Sequence, residues 1–300
     1  MLIRLGQKLY GQPAILLTLT AMFFAGNVVA GQVAAGEIAP FQLVLARWVL
    51  VAAVLSMLFG RELRAHWTTV RPFMRRAVVM GTLGFTGFNG LFYSASLWTT
   101  GVNIGILQGA IPVLVLIMAF FAYGARVGPV QLAGVLITLG GVILVATGGD
   151  PARALAIGLN PGDGLMLLAG VFYAFYTTGL QRRPDIPGRS FFTLMALIAA
   201  VTSAPFALAE AVIVAPDWPT PTGWLVTLYV AIFPSCLAQL FFLRGVDLIG
   251  PGRAGVYVNL VPVFGALLSV ALLGQLLEVY HAVALVLVLT GIWLAQRNRV

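Results

Sequence analysis

One arginine within an apolar stretch is the first residue in this sequence that could do chemistry. Arg47 lies in the segment FQLVLARWVLVAAVL, about two helical turns from its start. An arginine at the centre of a membrane-spanning helix costs about 2.5 to 3.5 kcal/mol to insert, so its side chain must face protein or water. Arg47 is therefore either a counter-charge for a substrate carboxylate or a structural residue bound to helix-end carbonyls. The sequence leaves both interpretations open, because no acidic partner is apparent.

Five amide side chains lie in similar apolar stretches. An amide donates and accepts hydrogen bonds, so it can hold a zwitterion without carrying net charge. The alternative role is hydrogen bonding between helices. We predict that these amides bind substrate: Asn27, Asn89, Gln108, Gln239 and Asn259.

Tyrosines share helical faces with these amides. Tyr93 follows Asn89 by four residues, and Tyr173 and Tyr176 form a second aromatic group three residues apart. We predict that these three tyrosines also line the binding cavity. Amides beside aromatic rings would suit an apolar or aromatic metabolite.

Several kinds of chemistry have no support in the sequence. It has no GxxxxGK[ST] loop, no HExxH motif and no paired carboxylates or Ser/His constellation inside the apolar stretches. Cys236 is the sole cysteine, which excludes an intrachain disulfide and a multi-cysteine metal site. We therefore expect no enzyme activity, no cofactor and no metal. Because we expect Glu210 and His281 to lie near helix ends, we predict facilitated or exchange transport rather than proton antiport.

Composition identifies the setting of these residues. The chain has 300 residues, of which 60% are hydrophobic and 9% are charged, where a soluble domain carries about 25% charged residues. A spanning helix needs about 20 residues, so the length fits ten helices with short connections. We predict an all-α membrane protein with ten transmembrane helices, near residues 13–33, 40–59, 73–97, 101–123, 129–147, 162–181, 190–212, 223–245, 252–274 and 279–296.

The basic residues sort into alternate loops. One side receives 15 of the 17 Lys and Arg residues, the other side receives Arg153, and Arg47 lies within a span. Lys and Arg in short loops stay on the cytoplasmic side, so we predict that both termini are cytoplasmic. The net charge of +8 follows from this sorting, and we expect the lipid bilayer rather than nucleic acid as the partner.

The sequence also repeats itself at half its length. An offset of 150 superposes Asn89 on Gln239 and also aligns three Gly pairs, one Phe pair and one Pro pair: Gly105/Gly255, Gly124/Gly274, Gly141/Gly291, Phe92/Phe242 and Pro112/Pro262. We predict two five-helix repeats, residues 1–150 and 151–300. Because five is odd, the second repeat enters the membrane from the opposite side, as in many secondary transporters. Pro112 and Pro262 are the predicted hinges.

These features resemble the drug/metabolite transporter superfamily, specifically its ten-helix EamA-type exporters. The resemblance rests on the arginine-bearing second helix and on GILQGAIPVLVLIMAFFAYG paired with GVYVNLVPVFGALLSVALLG. The chain departs from the family at Ala125 and Gln275, where the family often has Glu, and at Phe23 and Tyr173, near which it favours Trp.

The resemblance implies a secondary transporter that exports small amphipathic metabolites by alternating access from a bacterial-type inner membrane. Bacterial exporters of aromatic or neutral amino acids are the narrower similarity. The alternatives are another substrate class, such as a drug, a nucleotide sugar or a lipid, or else a channel or an intramembrane enzyme. A nucleotide sugar would require more cations than Arg47 alone.

Overall fold

Helices form most of the described structure. We analysed a computed structural model, which describes residues 11–124, 128–150 and 160–296. Within these ranges there is no β-strand, and nine stretches are long and apolar enough to cross a membrane. The one predicted span that is absent from these nine is the third, which forms the continuous helical run 74–95, so the described part of the chain has all ten predicted spans.

Six spans are single helices. They are the first (α1, Pro13–Ala34), second (α2, Pro40–Ala65), fifth (α7, Pro129–Ala146), sixth (α8, Pro161–Gly179), seventh (α9, Gly188–Ile213) and tenth (α14, Val279–Gln296). Most of these helices begin with proline, which lacks the N–H that is unpaired in the first helical turn.

Four spans are interrupted in the middle. The third comprises α3 (Met74–Gly81) and α4 (Phe88–Ala95), and the eighth comprises α10 (Pro221–Val230) and α11 (Ala238–Ile249); a π-helical segment joins each pair. The fourth comprises α5 (Gly101–Gln108) and α6 (Ile111–Tyr123), and the ninth comprises α12 (Pro251–Val258) and α13 (Val261–Leu273). The sequence singled out Pro112 and Pro262 as hinges of the fourth and ninth spans, whereas the π-helical segments of the third and eighth spans are a finding of the structure.

The breaks occur at equivalent places in the two halves. Pro112 and Pro262 each occupy the second position of the helix that follows the break. Neither proline can donate a backbone hydrogen bond to the preceding turn, which is why the helix is interrupted before it. Gly124 and Gly274 end these helices in the left-handed conformation, with φ of 63° and 64°. The duplicated sequence therefore has a duplicated backbone.

The fifth and tenth spans pack closely through small residues. A Cβ atom on Gly134 would lie 2.5 Å from the Ala295 nitrogen, and one on Gly291 would lie 2.6 Å from the Gly134 carbonyl oxygen. Glycine permits this approach, as it commonly does between membrane helices.

The second and seventh spans are joined at both ends by carboxylates. Glu210 Oε2 accepts hydrogen bonds from the backbone nitrogens of Phe41 (2.9 Å) and Gln42 (3.0 Å) at the start of α2. Glu62, near the end of α2, accepts hydrogen bonds from two side chains at the start of α9: Arg189 Nε (2.8 Å), Arg189 Nη2 (2.8 Å) and Ser190 Oγ (2.8 Å). Negative charge is favourable at a helix N-terminus, so Glu210 has a structural role.

Part of the predicted charge sorting lies outside the described residues, namely Arg4, Lys8, Arg126, Arg153, Arg297 and Arg299. The cytoplasmic location of both termini stays a prediction, as does the division at residue 150.

Candidate functional site

Arg47 is at the centre of a buried polar cluster. Its side chain is only 5% exposed. Nη1 donates to Asn89 Oδ1 at 2.7 Å and to the Tyr93 hydroxyl at 2.6 Å, with a longer contact of 3.4 Å to Asn27 Oδ1. The Tyr93 hydroxyl in turn donates to Asn27 Oδ1 at 2.8 Å. Arg47 is therefore held by side chains of the first and third spans rather than by helix-end carbonyls.

The fourth partner of Arg47, Ser235, was not identified from the sequence. Arg47 Nε donates to Ser235 Oγ at 2.7 Å. Ser235 Oγ donates to the Val230 carbonyl at 2.6 Å, which lies four residues before Pro234. Proline has no N–H for that carbonyl, so the serine hydroxyl satisfies it instead. A Pro-Ser pair in the middle of an apolar span is the signal from which this role could have been inferred.

No carboxylate within the described ranges pairs with the Arg47 guanidinium, and no described residue accepts a hydrogen bond from Nη2. All four direct partners are neutral. The cluster is therefore a buried positive charge in which one edge of the guanidinium is free for an anion. Arginine binds carboxylates well because its planar fork of N–H groups matches the two oxygens.

Aromatic rings form a continuous path beside this charge. Arg47 lies 5.0 Å from the ring centre of Trp48, and Trp48 packs edge-on against Phe85 at 5.1 Å. Phe85 contacts Tyr176 at 4.9 Å, and Tyr176 contacts Tyr173 at 5.6 Å. The rings provide an apolar surface next to the guanidinium.

This path returns to the polar cluster. Tyr173 lies 5.0 Å from Phe88, and Phe92 links Phe88 to Tyr93 at ring distances of 6.0 and 5.2 Å. The two predicted tyrosines of the sixth span, Tyr173 and Tyr176, thus belong to the same aromatic surface as Tyr93.

The remaining predicted amides lie apart from the Arg47 contacts. Gln239 is partly exposed and follows Ser235 by one helical turn, so it lies on the same face of the eighth span. Gln108 ends α5 and has no hydrogen-bond partner among the described residues. Asn259 Nδ2 donates to Gln296 Oε1 at 3.3 Å, while its Oδ1 is buried without a partner in the described structure. The structure thus brings together Arg47, Asn27, Asn89 and Tyr93, and places Gln108 and Asn259 elsewhere.

A second polar cluster lies where the fourth, sixth and tenth spans begin. Asp163 is 1% exposed and accepts hydrogen bonds from Thr99 Oγ1 (2.6 Å) and Asn103 Nδ2 (3.3 Å). The Glu278 backbone N–H donates to His281 Nδ1, so Nε2 carries the proton and donates to Asn103 Oδ1; both distances are 3.0 Å. His281 is 4% exposed. Its position in the first turn of the tenth span agrees with the expectation that it lies near a helix end, but the converging helix ends bury it.

Two glutamines extend this cluster across the end of the molecule. Gln32 Nε2 donates to the carbonyls of Ser96 (3.4 Å) and Thr99 (2.9 Å), and Gln275 Nε2 donates to Gln32 Oε1 at 3.1 Å. Together these bonds join the first, fourth, sixth, ninth and tenth spans. We call the group formed by Gln32, Thr99, Asn103, Asp163, Gln275 and His281 the polar seal.

Comparison with known proteins identifies the family. The model of the EamA-like transporter family matches residues 12–147 and again residues 160–296. The chain belongs to the EamA-like transporter family. The two matches correspond to the two repeats seen in the sequence and in the backbone, so this EamA protein is a transporter built from two related halves.

Similar proteins are also named as transporters. The "Uncharacterized transporter YyaM" of Bacillus subtilis (strain 168) is 28% identical over 73% of this chain and 72% of its own length. An "Uncharacterized transporter" of Archaeoglobus fulgidus is 24% identical over 95% of this chain and 97% of its own. The "Aromatic amino acid exporter YddG" of Ancylobacter novellus is 23% identical over 64% of this chain and 66% of its own.

A solved crystal structure has the same fold. It superposes with a TM-score of 0.63 at 22% sequence identity, covering 93% of this chain and 95% of that one. The agreement over nearly the whole length supports the arrangement of all ten spans.

Proposed function

We propose that this EamA transporter exports small amphipathic metabolites that carry a carboxylate, namely amino acids with aromatic or neutral side chains. In this proposal the Arg47 guanidinium is the counter-charge for the carboxylate. Asn27, Asn89 and Tyr93 hold the guanidinium and contribute hydrogen bonds to the substrate. Gln239, Gln108 and Asn259 are further polar contacts along the path.

One observation supports this proposal more than any other. Arg47 is buried in a membrane-spanning helix and bonded to neutral groups alone in the described structure. A buried charge without an opposite charge beside it is costly. A substrate carboxylate that binds the Arg47 guanidinium would reduce this cost, which favours binding there. The substrate's apolar side chain would then lie against the rings of Trp48, Tyr173 and Tyr176.

The proposed movement is a rocking of the two halves, residues 1–150 and 151–300, in a bacterial-type plasma membrane with both termini inside. The helix breaks before Pro112 and Pro262 give each half a flexible point at an equivalent position. Such rocking would expose the Arg47 cluster to one side of the membrane at a time.

Counterflow in liposomes tests the substrate class. Vesicles that contain the purified protein are preloaded with unlabelled phenylalanine, and uptake of labelled Phe, Trp, Leu and Thr is compared with uptake of phenylalanine amide and a nucleotide sugar. We expect saturable, cross-competed uptake of the amino acids. Because phenylalanine amide lacks the carboxylate, it should compete poorly.

Variants of Arg47 test its role. Arg47→Gln removes a charge-assisted interaction worth about 1.5 to 3 kcal/mol, so the apparent affinity for phenylalanine should fall roughly 10- to 100-fold. Arg71→Gln, an exposed arginine at the start of the third span, is the control and should transport normally. Tyr93→Phe keeps the ring but removes a hydroxyl that positions Arg47 and bonds to Asn27, so it should raise KM and also lower stability by roughly 1 to 2 kcal/mol. Unchanged KM in a folded Arg47→Gln protein would make Arg47 structural.

A further inference from the structure

A cleft lies at the opposite end of the molecule from the polar seal. It has a volume of about 380 Å³ and opens between the third, fourth and sixth spans. Its walls comprise three arginines, one tyrosine and four apolar or small residues: Arg75, Arg76, Val79, Met80, Tyr123, Phe175, Gly179 and Arg182.

The three arginines of the cleft have no acidic partner among the described residues. At the same end of the molecule, Arg189 does form an ion pair, with Glu62 at 2.8 Å. The arginines of the cleft differ from Arg189 in lacking such a carboxylate within the described ranges. Arg182 instead stacks on Tyr123, with the guanidinium carbon 4.7 Å from the ring centre. A stacked guanidinium keeps its N–H edge available. Three like charges that share one cleft attract an anion.

The other wall of the cleft is apolar and continues along the outside of the sixth span. Val79 is 46% exposed and Phe175 is 40% exposed. On α8 the exposed positions Leu168, Val171 and Phe175 recur at helical spacing. Tyr176, adjacent to Phe175 in the chain, is buried against the third span instead. The cleft therefore places its three arginines next to an apolar stripe that faces away from the centre of the protein.

The fold does not require these charges. The repeat that aligns Gly124 with Gly274 places Leu225 and Val226 where the first half has Arg75 and Arg76. The corresponding positions of the second half carry no charge, and Val226 is buried there. The cationic cleft is thus a property of one end of the molecule.

We propose that this cleft binds an anionic phospholipid. The headgroup phosphate lies among Arg75, Arg76 and Arg182, and an acyl chain follows Val79, Phe175 and the exposed stripe of the sixth span. A phosphate accepts several N–H bonds from arginine forks, and basic pockets between membrane helices are suited to anionic headgroups. Because Arg182 belongs to the second repeat and Arg75 to the first, the lipid would bridge the two halves. The proposal is independent of the transported substrate.

The test measures lipid binding to the purified full-length protein. Native mass spectrometry and thermal unfolding in detergent are recorded with added phosphatidylglycerol, phosphatidylcholine or sodium phosphate. We expect phosphatidylglycerol to bind and to raise the unfolding midpoint, while phosphatidylcholine and inorganic phosphate do so far less.

Substitutions locate the site. Arg76→Gln and Arg182→Gln should each weaken phosphatidylglycerol binding about fivefold, which corresponds to about 1 kcal/mol per arginine. Arg64→Gln removes an exposed charge from the same end of the protein outside the cleft, so it should bind as the unmodified protein does. Equal weakening in all three variants would mean a general charge effect and would overturn the proposal. So would equal binding of phosphatidylcholine, or a full effect from inorganic phosphate alone.

Discussion

At the scale of single residues, side chains of the first and third spans and Ser235 of the eighth span hold the buried charge of Arg47. The pair Asn89 and Tyr93, four residues apart, was predicted to share a face, and both contact Nη1. Ser235 was not predicted, because its contact spans 188 residues and depends on the carbonyl that Pro234 leaves free. Sequence periodicity reveals the local pairs, whereas the long-range partner depends on how the spans pack.

Ser235→Ala should destabilise the protein. The change removes the acceptor for Arg47 Nε and the donor for the Val230 carbonyl, and interhelical hydrogen bonds in membranes are worth about 0.6 to 1.7 kcal/mol each. We expect a loss of roughly 1 to 2 kcal/mol, measured as a lower midpoint of thermal unfolding in detergent.

Ser96→Ala is the matched control. The Ser96 hydroxyl is also buried, but it donates only to the Phe92 carbonyl of its own span, at 3.3 Å. Its removal should change the unfolding midpoint little. Equal losses in the two variants would mean that the Ser235 contact with Arg47 contributes no stability.

At the scale of helices, the predicted number and order of the spans agree with the structure. The breaks of the fourth and ninth spans fall at the prolines that were singled out as hinges, whereas the π-helical interruptions of the third and eighth spans were not predicted. The apolar lengths and the loop charges suffice to count the helices, because the bilayer imposes both. The π-helical segments at Thr82–Gly87 and Ala231–Leu237 leave no comparable pattern in hydropathy. The burial of Asp163 was also missed, because it depends on three helix ends meeting around a residue that begins a span.

Gly291→Ala should separate the fifth and tenth spans. The added methyl carbon would lie 2.2 Å from Thr138 Oγ1 and 2.6 Å from the Gly134 carbonyl oxygen, which is too close for any packed atoms. Overpacking of this kind costs about 1 to 3 kcal/mol, and a lower unfolding midpoint would report it.

Gly140→Ala provides the comparison, because no atom lies within 4 Å of a Cβ at that position on the fifth span. Alanine favours a helix over glycine by up to about 1 kcal/mol, so this variant should unfold at the same temperature or higher. If Gly291→Ala behaved in the same way, close contact between these spans would not matter for stability.

At the scale of the whole molecule, the two ends differ. The polar seal closes one end through hydrogen bonds among five spans, whereas the arginine-lined cleft leaves the other end open on its outer side. The proposed rocking of the two halves would require the seal to break, and its bonds between neutral groups and one carboxylate can exchange with water.

Asp163→Ala should weaken the seal. Thr99 and Asn103 would lose their shared acceptor, and a change of about 1 to 2 kcal/mol alters a population roughly 5- to 30-fold. The readout is a cysteine introduced at Ser96, which is 6% exposed, in a Cys236→Ser background. With Asp163→Ala added, this cysteine should react with a membrane-impermeant maleimide roughly 5- to 30-fold faster.

The control for this experiment is Asp185→Ala, which removes an exposed acid at the opposite end of the sixth span. It should leave the labelling rate unchanged. Slow labelling in both variants would show that Asp163 does not hold this end of the protein closed.

The two carboxylates that join the second and seventh spans, Glu62 and Glu210, occupy equivalent positions in the two halves. Glu62 meets Arg189 and Ser190, the second and third residues of α9, while Glu210 meets Phe41 and Gln42, the second and third residues of α2. The two carboxylates accept from different groups, side chains for Glu62 and backbone N–H groups for Glu210, but at equivalent positions with the partners exchanged. Such reciprocal placement is typical of an isologous interface, in which two copies meet about a twofold axis. A single five-helix ancestor would have formed both contacts with one glutamate, by pairing with a copy of itself that was inserted upside down.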